Sequence, residues 1–249
     1  LNLYLFFEEG KNFYKNYFKI GLSGLIGGSG LGVAMITFIY SITNTSAAVT
    51  LLCLAAMPFF TALLAFLLLR ERISFNVWIS IILASVGILI MAIGNTGEKS
   101  LAGFIFGLTS SIGFSIFSVT LRWKKETPKF TTVAFSGLFC FIFASIVILI
   151  KDQVFFASSY NGSLFSLHGT LVCFGLILYS IGSKAIPAAE LTLLSLTEVV
   201  GGIFWVWLPI FGINEVPSTN TIIGGFFLFV SLIYYSLIMK WNKRYIALN

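Results

Sequence analysis

Residues 47–69 read AAVTLLCLAAMPFFTALLAFLLL, a run without any charged side chain. A helix needs about 20 mainly apolar residues to cross the hydrocarbon core of a bilayer, so this run is long enough for one crossing. The composition of the whole chain agrees, because only 10% of its 249 residues are charged and 58% are hydrophobic. A typical soluble domain carries about 25% charged residues. We therefore predict an all-α integral membrane protein.

Similar apolar runs recur along the chain and predict eight transmembrane helices, near residues 20–42, 47–69, 75–94, 101–121, 131–150, 167–183, 187–210 and 219–239. All but Lys99 and Lys151 of the 15 lysines and arginines fall in loops on one side of this layout. Basic loops mark the cytoplasmic side. We therefore expect an inner (cell) membrane protein, with both termini of the full protein in the cytoplasm. No loop is long enough for a soluble domain, so function must lie within the membrane.

An internal repeat is visible when two parts of the chain are compared. The tetrapeptide IYSI (39–42) resembles LYSI (178–181), and the segment 45–72 can be laid beside 186–215. This alignment places Met57 opposite Glu198 and Glu71 opposite Glu215. The two segments cross the predicted membrane in opposite directions, and inverted repeats are a recurrent plan of secondary transporters.

Four stretches carry a resemblance to a known family: SAAVTLLCLAAMPFFTALLAFLLLRERIS (46–74), ISIILASVGILIMAIG (79–94), PAAELTLLSLTEVVGGIFWVW (187–207) and VPSTNTIIGG (216–225). They resemble the two EamA-type modules of the drug/metabolite transporter superfamily. The resemblance implies a ten-helix bundle of two inverted five-helix repeats, of which this chain would hold eight helices. Residues 1–96 would be the remainder of the first repeat, comprising the end of its second helix and three further helices. Residues 97–249 would be the second repeat, with five helices.

Two positions depart from the family pattern. The family often has proline after the glutamate at midspan, where this chain has Val199 after Glu198. The Gly-Glu pair that ends the fourth helix of a repeat is Arg70–Glu71 in the first copy. The resemblance also implies an N-terminal truncation, and one of the two absent helices would help to line the central cavity. Any site predicted from this chain is therefore partial.

Two carboxylates lie in the run 187–210. In a continuous helix that begins near Pro187, Glu190 would lie about 5 Å and Glu198 about 17 Å along the axis, both on one face beside Thr197. A charge at a helix centre costs roughly 2.5–3.5 kcal/mol and usually faces a bundle interior or a water-filled cavity. We predict that Glu198, Glu190 and Thr197 contact a substrate or a coupled proton. The alternative is that the glutamates are structural hydrogen-bonding groups.

Other polar side chains within the runs extend this predicted site. Ser111, Ser115 and Ser118 recur at helical spacing and form one polar stripe, which either contacts a ligand or packs helices together. Tyr40 and Tyr179 occupy matching repeat positions and are either gates or aromatic anchors at the membrane interface. The basic cluster RWKKETPK (122–129) is interpreted as a topology signal.

The predicted function is that of a permease, a secondary transporter of small organic metabolites such as amino acids or their derivatives. Export, proton coupling and alternating access between the repeats are part of this prediction. The alternatives are an intramembrane enzyme and a non-transporting membrane scaffold. The chain has one histidine and a single aspartate, which disfavours an enzyme, and its three cysteines are scattered. We expect no metal, no cofactor and no nucleic-acid partner; the partners are a small-molecule substrate and the lipid bilayer, and a homodimer is left open.

Overall fold

The computed structural model describes residues 13–71, 73–93, 100–124, 127–152, 158–208 and 219–248. Within these ranges the chain forms helices and no strand, which confirms the predicted all-α class. The helices are α1 Phe13–Lys19, α2 Gly21–Asn44, α3 Ala47–Leu54, α4 Met57–Leu64, α5 Phe75–Ile93, α6 Ser100–Trp123, α7 Lys129–Ile150, α8 Ser159–Gly182, α9 Ala188–Leu194, α10 Leu196–Trp207 and α11 Thr219–Leu248. The predicted helix end at residues 1–7 and the predicted counterpart of Glu71, Glu215, lie outside the described residues.

Each predicted apolar run coincides with helical chain. Among the described residues, five stretches are long and apolar enough to cross a membrane: Gly21–Asn44, Val49–Leu69, Leu101–Trp123, Lys129–Ile150 and Ser159–Gly182. Shorter apolar helices cover Phe75–Ile90 and Ile222–Ile238. The chain is thus a multi-pass membrane protein. Eight crossings, and the division into repeats at residue 96, stay predictions.

Two of the predicted helices are each interrupted by an irregular turn, although the first of them, Val49–Leu69, is still one stretch long and apolar enough to cross a membrane. The run 47–69 is broken by a turn at Ala55 and Ala56, and Pro58 lies in the first turn of the helix that follows. Proline lacks an N–H group, which makes the first turn the position where it is tolerated best. The run 187–210 is broken at Ser195, between α9 and α10.

The halves of the two broken runs pack crosswise. Helix α9 lies against α4, and α10 lies against α3, so each broken run contacts both halves of the other. Their apolar side chains form the largest core of the molecule together with residues of α5 and α11. The members of this core with almost no exposed surface include Leu52, Met57, Ala62, Ile81, Leu193, Leu196, Val199 and Leu228. The two interruptions therefore lie within the best-packed part of the fold.

Two helix pairs approach each other so closely that backbone meets backbone. A Cβ atom at Gly113 of α6 would lie 2.6 Å from the carbonyl oxygen of Gly30 of α2. A Cβ atom at Gly87 of α5 would lie 2.6 Å from the carbonyl oxygen of Gly224 of α11. Only glycine permits these contacts. Small residues at helix crossings let membrane helices pack closely, which matters because the hydrophobic effect does not drive helices together within a bilayer. These crossings join α2 to α6 and α5 to α11.

Helix α8 is much less enclosed than α2, which holds the matching place in the predicted repeat. Over the 18 most apolar consecutive residues of each helix, the buried share is 6% in α8 and 39% in α2. Only the last turns of α8 enter the bundle, where Ser180 is fully buried and Tyr179 is partly buried. Ser183, which follows the helix, is also buried. This end of α8 is the part that contributes to the candidate site.

The end of α4 is irregular. Ala65–Leu69 continue the helix as a π-helical turn, and Arg70 then adopts a left-handed conformation with φ of 53°. A non-glycine residue with this conformation is uncommon and ends a helix in the way that glycine usually does. Arg70 stands where the family pattern has glycine. The left-handed turn places Glu71 beside the end of α6, where it meets Arg122.

Candidate functional site

The break between α9 and α10 is held together by hydroxyl groups of its own residues. Ser195 Oγ donates to the carbonyl of Thr192 at 2.7 Å, and Thr197 Oγ1 donates to the carbonyl of Leu194 at 2.8 Å. These bonds supply partners for carbonyl groups at the end of α9. Serine and threonine hydroxyls compete with the helical hydrogen-bond ladder in this way. The hydroxyl groups that bind these carbonyls thus come from the run itself, while Leu193, Leu196 and Val199 pack it into the main core.

Glu198 lies in the first turn of α10 and its side chain is exposed. A carboxylate at a helix N-terminus is stabilised by the helix dipole. Leu194 and Trp205 are exposed one and two turns away on the same side, and Gly201 between them is half-buried. Among the described residues, Glu198 forms no ion pair. The break thus presents a carboxylate on a face that no helix of the described ranges covers.

Glu190 lies in the first turn of α9 and has a different environment. Its Oε2 atom accepts a hydrogen bond of 2.6 Å from the hydroxyl of Tyr235 in α11. Among the described residues, Glu190 forms no ion pair. The two predicted glutamates therefore have different surroundings. Glu190 joins α9 to α11, while Glu198 is exposed.

The predicted serine stripe of α6 is buried, and its hydroxyls are used within the protein. Ser111 Oγ donates to the carbonyl of Cys53, next to the break between α3 and α4. Ser115 Oγ donates to the carbonyl of Met57 on the other side of that break, at 3.1 Å, and to the carbonyl of Ser111 at 2.7 Å. The two serines thus bind carbonyl groups that flank the interruption.

Ser118 belongs to a separate contact with α8. Its hydroxyl lies 2.7 Å from the hydroxyl of Tyr179, and either group can donate. The Tyr179 ring also packs edge-on to Phe114, at 5.1 Å between ring centroids, and stacks on Phe117. Tyr40 packs instead on Phe106, at 5.5 Å. The two predicted gate tyrosines therefore have separate aromatic neighbours, and only Tyr179 joins the serine stripe.

Arg122 connects three segments at the end of α6. Its Nε atom donates to Glu71 Oε1 at 2.7 Å, and its Nη1 atom donates to the carbonyl groups of Ser183 and Ile186, at 3.1 Å and 2.9 Å. Lys129 Nζ adds a bond of 2.9 Å to the hydroxyl of Ser183. These contacts hold the end of α4 and the segment between α8 and α9 against α6. Sequence reasoning treated this arginine only as a topology signal.

The signal that could have revealed this role is the position of Arg122. It lies in the last turn of a helix without any other charged residue, where its side chain faces neighbouring helices or the membrane boundary. A planar guanidinium with five donors suits a carboxylate and backbone carbonyls together. Across the described residues, no group of three or more His, Cys, Asp or Glu side chains could hold a metal ion.

Comparison with known proteins supports the resemblance found in the sequence. The EamA-like transporter family matches residues 1–93. A Helicobacter pylori protein named an uncharacterized transporter is 32% identical over 95 residues, which are 38% of this chain and 32% of that relative. A Clostridium kluyveri protein with the same name is 25% identical over 234 residues, covering 90% of this chain and 73% of the relative. The uncharacterized transporter YetK of Bacillus subtilis is 24% identical over 82% of this chain and 61% of its own length.

One solved crystal structure has a similar fold. It superposes with a TM-score of 0.67 at 18% sequence identity and covers 86% of this chain and 76% of that chain. At this identity the likeness concerns the fold alone. The family match and the transporter names of the relatives confirm the EamA-type resemblance. The chain matches about a third of the length of the Helicobacter relative and about three fifths of the Bacillus relative.

Proposed function

Because residues 1–93 are of the EamA type and relatives along most of the chain are named transporters, we propose that this protein is a secondary transporter of small organic metabolites. The observation that carries the proposal is Glu198, an exposed carboxylate at the break between two half-helices. Interrupted helices form the substrate and ion sites of many secondary transporters. Intramembrane carboxylates commonly mark such pathways.

The chemistry of the exposed face suggests the substrate class. A carboxylate beside Thr197, Gly201 and Trp205 suits a solute with a cationic amino group and an apolar part, such as an amino acid or its derivative. A phosphorylated sugar would require lysine or arginine inside the membrane. In the described part of the chain, the arginine of α6 and the lysine of α7 lie at helix ends. We therefore propose amine-bearing solutes, with export as the direction of flux.

Glu198 also supplies a proton-coupling group in this proposal. A carboxylate that exchanges a proton or the substrate's amino group can bind only one at a time, which links solute movement to a proton gradient. Glu190 is a secondary member, because its carboxylate is held by Tyr235. Ser118 and Tyr179 belong to the wall between α6 and α8. We place Ser111 and Ser115 in the support of the site.

Alternating access requires contacts at the two membrane faces to break in turn. The contacts of Arg122 with Glu71, Ser183 and Ile186 lie at the face where α6 ends, which we propose to be cytoplasmic. Opening at this face would separate α4 from the segment between α8 and α9. We propose that Arg122 holds this face closed. The proposal keeps both termini in the cytoplasm and the protein in the inner membrane.

Uptake into proteoliposomes tests the proposal. The protein is reconstituted and offered a pooled mixture of amino acids and their derivatives, with and without a pH gradient. Glu198→Gln should lower uptake by about tenfold or more, since a lost ionic contact exceeds about 1.4 kcal/mol. Asp152→Asn is the matched control, because Asp152 follows the end of α7 and its side chain is exposed.

The outcomes separate the roles of Glu198. Reduced uptake that still responds to the pH gradient assigns Glu198 to substrate contact, whereas reduced uptake that no longer responds to the gradient assigns it to proton coupling. Equal uptake by wild type and Glu198→Gln would overturn the role of this carboxylate. Absence of uptake by well-folded wild-type protein under every condition would favour the membrane scaffold.

A further inference from the structure

Three cations converge where α6 ends and α7 begins. Arg122 lies in the last turn of α6, Lys129 is the first residue of α7, and Lys184 follows α8. Lys129 is partly buried and donates to Ser183 Oγ at 2.9 Å. Lys184 and Arg122 are close enough to act electrostatically on Lys129. The cluster therefore contains like charges drawn together at a partly desolvated position.

Among the described residues, the one carboxylate paired with this cluster does not balance its three positive charges. Glu71 pairs with Arg122, and this is the only ion pair among the described residues. Arg122 is further occupied by two backbone carbonyls. Lys129 and Lys184 are thus left without a carboxylate partner in the described part of the chain. Like charges at short range are unfavourable unless an anion is supplied, and the attraction for such an anion is strengthened by partial burial.

Ser183 fixes the direction of the Lys129 ammonium group. The Ser183 hydroxyl accepts from Lys129 and donates to the carbonyl of Ser180 at 2.8 Å. Its proton is therefore already committed, and Ser183 positions the lysine without contacting an anion itself. A lysine ammonium has three donors, so Lys129 retains two after binding Ser183.

The surroundings of the cluster are apolar and open on the outer surface of the bundle. Trp123 is 38% exposed and Ile181 is 48% exposed, each within a few residues of a member of the cluster. Helix α8, which carries Ile181, is exposed over most of its length. Basic groups between transmembrane helices, with apolar surface beside them, match the headgroup and acyl chains of an anionic lipid.

We propose that Lys129 and Lys184 bind the phosphate group of an anionic phospholipid, in the leaflet at which α6 ends. The phosphate lies between the two ammonium groups, and the acyl chains lie along the exposed surface of α8 and beside Trp123. Bound lipid neutralises the repulsion within the cluster and strengthens the attachment of the segment between α8 and α9 to α6. The same segment belongs to the closure that we propose for Arg122, but lipid binding at this site is measured without any transport assay.

Lipid binding to the purified chain is measured by native mass spectrometry, with phosphatidylglycerol as the probe and phosphatidylcholine as the neutral comparison. Lys129→Gln and Lys184→Gln should each weaken phosphatidylglycerol binding by about fivefold, as expected for one basic residue near a membrane surface. Lys15→Gln is the matched control, because Lys15 is exposed in α1 and has no part in the cluster. Lys129→Arg keeps the positive charge and should retain binding. This result would show that weaker binding by Lys129→Gln comes from the lost charge and not from misfolding.

Three results would decide the proposal. Selective weakening in the two cluster variants, with unchanged binding by Lys15→Gln, supports it. Equal binding by all variants would overturn it, and because Lys184 is exposed its substitution is compatible with folding. Competition by millimolar inorganic phosphate would assign the site to a soluble phosphate compound and would overturn the assignment to a lipid.

Discussion

The two interrupted runs share a backbone plan but differ in what completes it. The break before Met57 is sealed by α6, whose Ser111 and Ser115 bind the flanking carbonyls, and Met57 itself is 3% exposed. The break at Ser195 is completed by hydroxyls of its own residues, and the predicted counterpart of Met57, Glu198, is exposed. A break sealed by a neighbour is a structural joint. The second break leaves Glu198 exposed, as the proposed contact with a solute requires.

Exchanging the residues at the two breaks should give the largest effect. Met57→Glu would place a carboxylate without a partner in the main core, which costs at least about 4 kcal/mol of unfolding free energy. Glu198→Met should change the unfolding free energy by less than about 1 kcal/mol, because its side chain is exposed. Thermal unfolding in detergent, followed by size-exclusion chromatography, measures both. Similar stability of the two variants would contradict the distinction between a sealed and an open break.

Removing the serine donors should have an intermediate effect. Ser111→Ala and Ser115→Ala each leave a buried carbonyl with one hydrogen bond fewer, and each should lower the unfolding free energy by about 1 kcal/mol. Thr109→Val is the matched control, because Thr109 is on the same helix and its hydroxyl binds only the Ile105 carbonyl of that helix. Denaturant titration compares the three. If Thr109→Val destabilised as much as the serine variants, the serines would have no special role at the break.

Adjacent glycines of α10 provide the finest comparison. A Cβ atom at Gly202 would lie 2.9 Å from Leu51 Cδ1, whereas a Cβ atom at Gly201 would meet nothing within 4 Å. Gly201→Ala should stabilise the helix by about 0.5–1 kcal/mol through helix propensity alone. Gly202→Ala should lose this gain, because the flexible end of Leu51 must move. Melting temperatures of the two variants measure the difference, and a larger gain at Gly202 would refute the packing of α10 on α3.

The positions of the helices could be predicted from the sequence, because apolar run length reports helix length in a bilayer. The interruptions could not. Pro58 was a signal for the first interruption, because proline has no backbone N–H group to donate within a helix. The break at Ser195 contains no proline. At Ser195, side-chain hydroxyls compete with backbone N–H groups for the carbonyls of the preceding turn. Serines and threonines inside unbroken membrane helices can form the same bonds. The sequence cannot distinguish these cases without the neighbours.

The sequence named the polar residues of the candidate site, but it did not indicate which side chains or carbonyl groups each of them contacts. Glu198 is exposed, and its contact with a substrate or proton stays a prediction. Glu190 instead accepts a hydrogen bond from Tyr235, which lies 45 positions further along the chain. The role of Arg122 was missed because its partners Glu71 and Ser183 are 51 and 61 positions away. Such contacts depend on how α4, α6 and α8 are arranged. Apolar periodicity constrains each helix but not its partners.

The π-helical turn at Ala65–Leu69 has a consequence for length variation. Such a turn contains one residue more than an α-helical turn over the same rotation. Deletion of one of its exposed members, Phe66, Leu67 or Leu68, would therefore convert the turn to an ordinary α-helix and leave Arg70 and Glu71 facing as before. In a regular helix the same deletion would rotate every later side chain by about 100°. Relatives that differ by one residue here can thus preserve the Glu71–Arg122 ion pair.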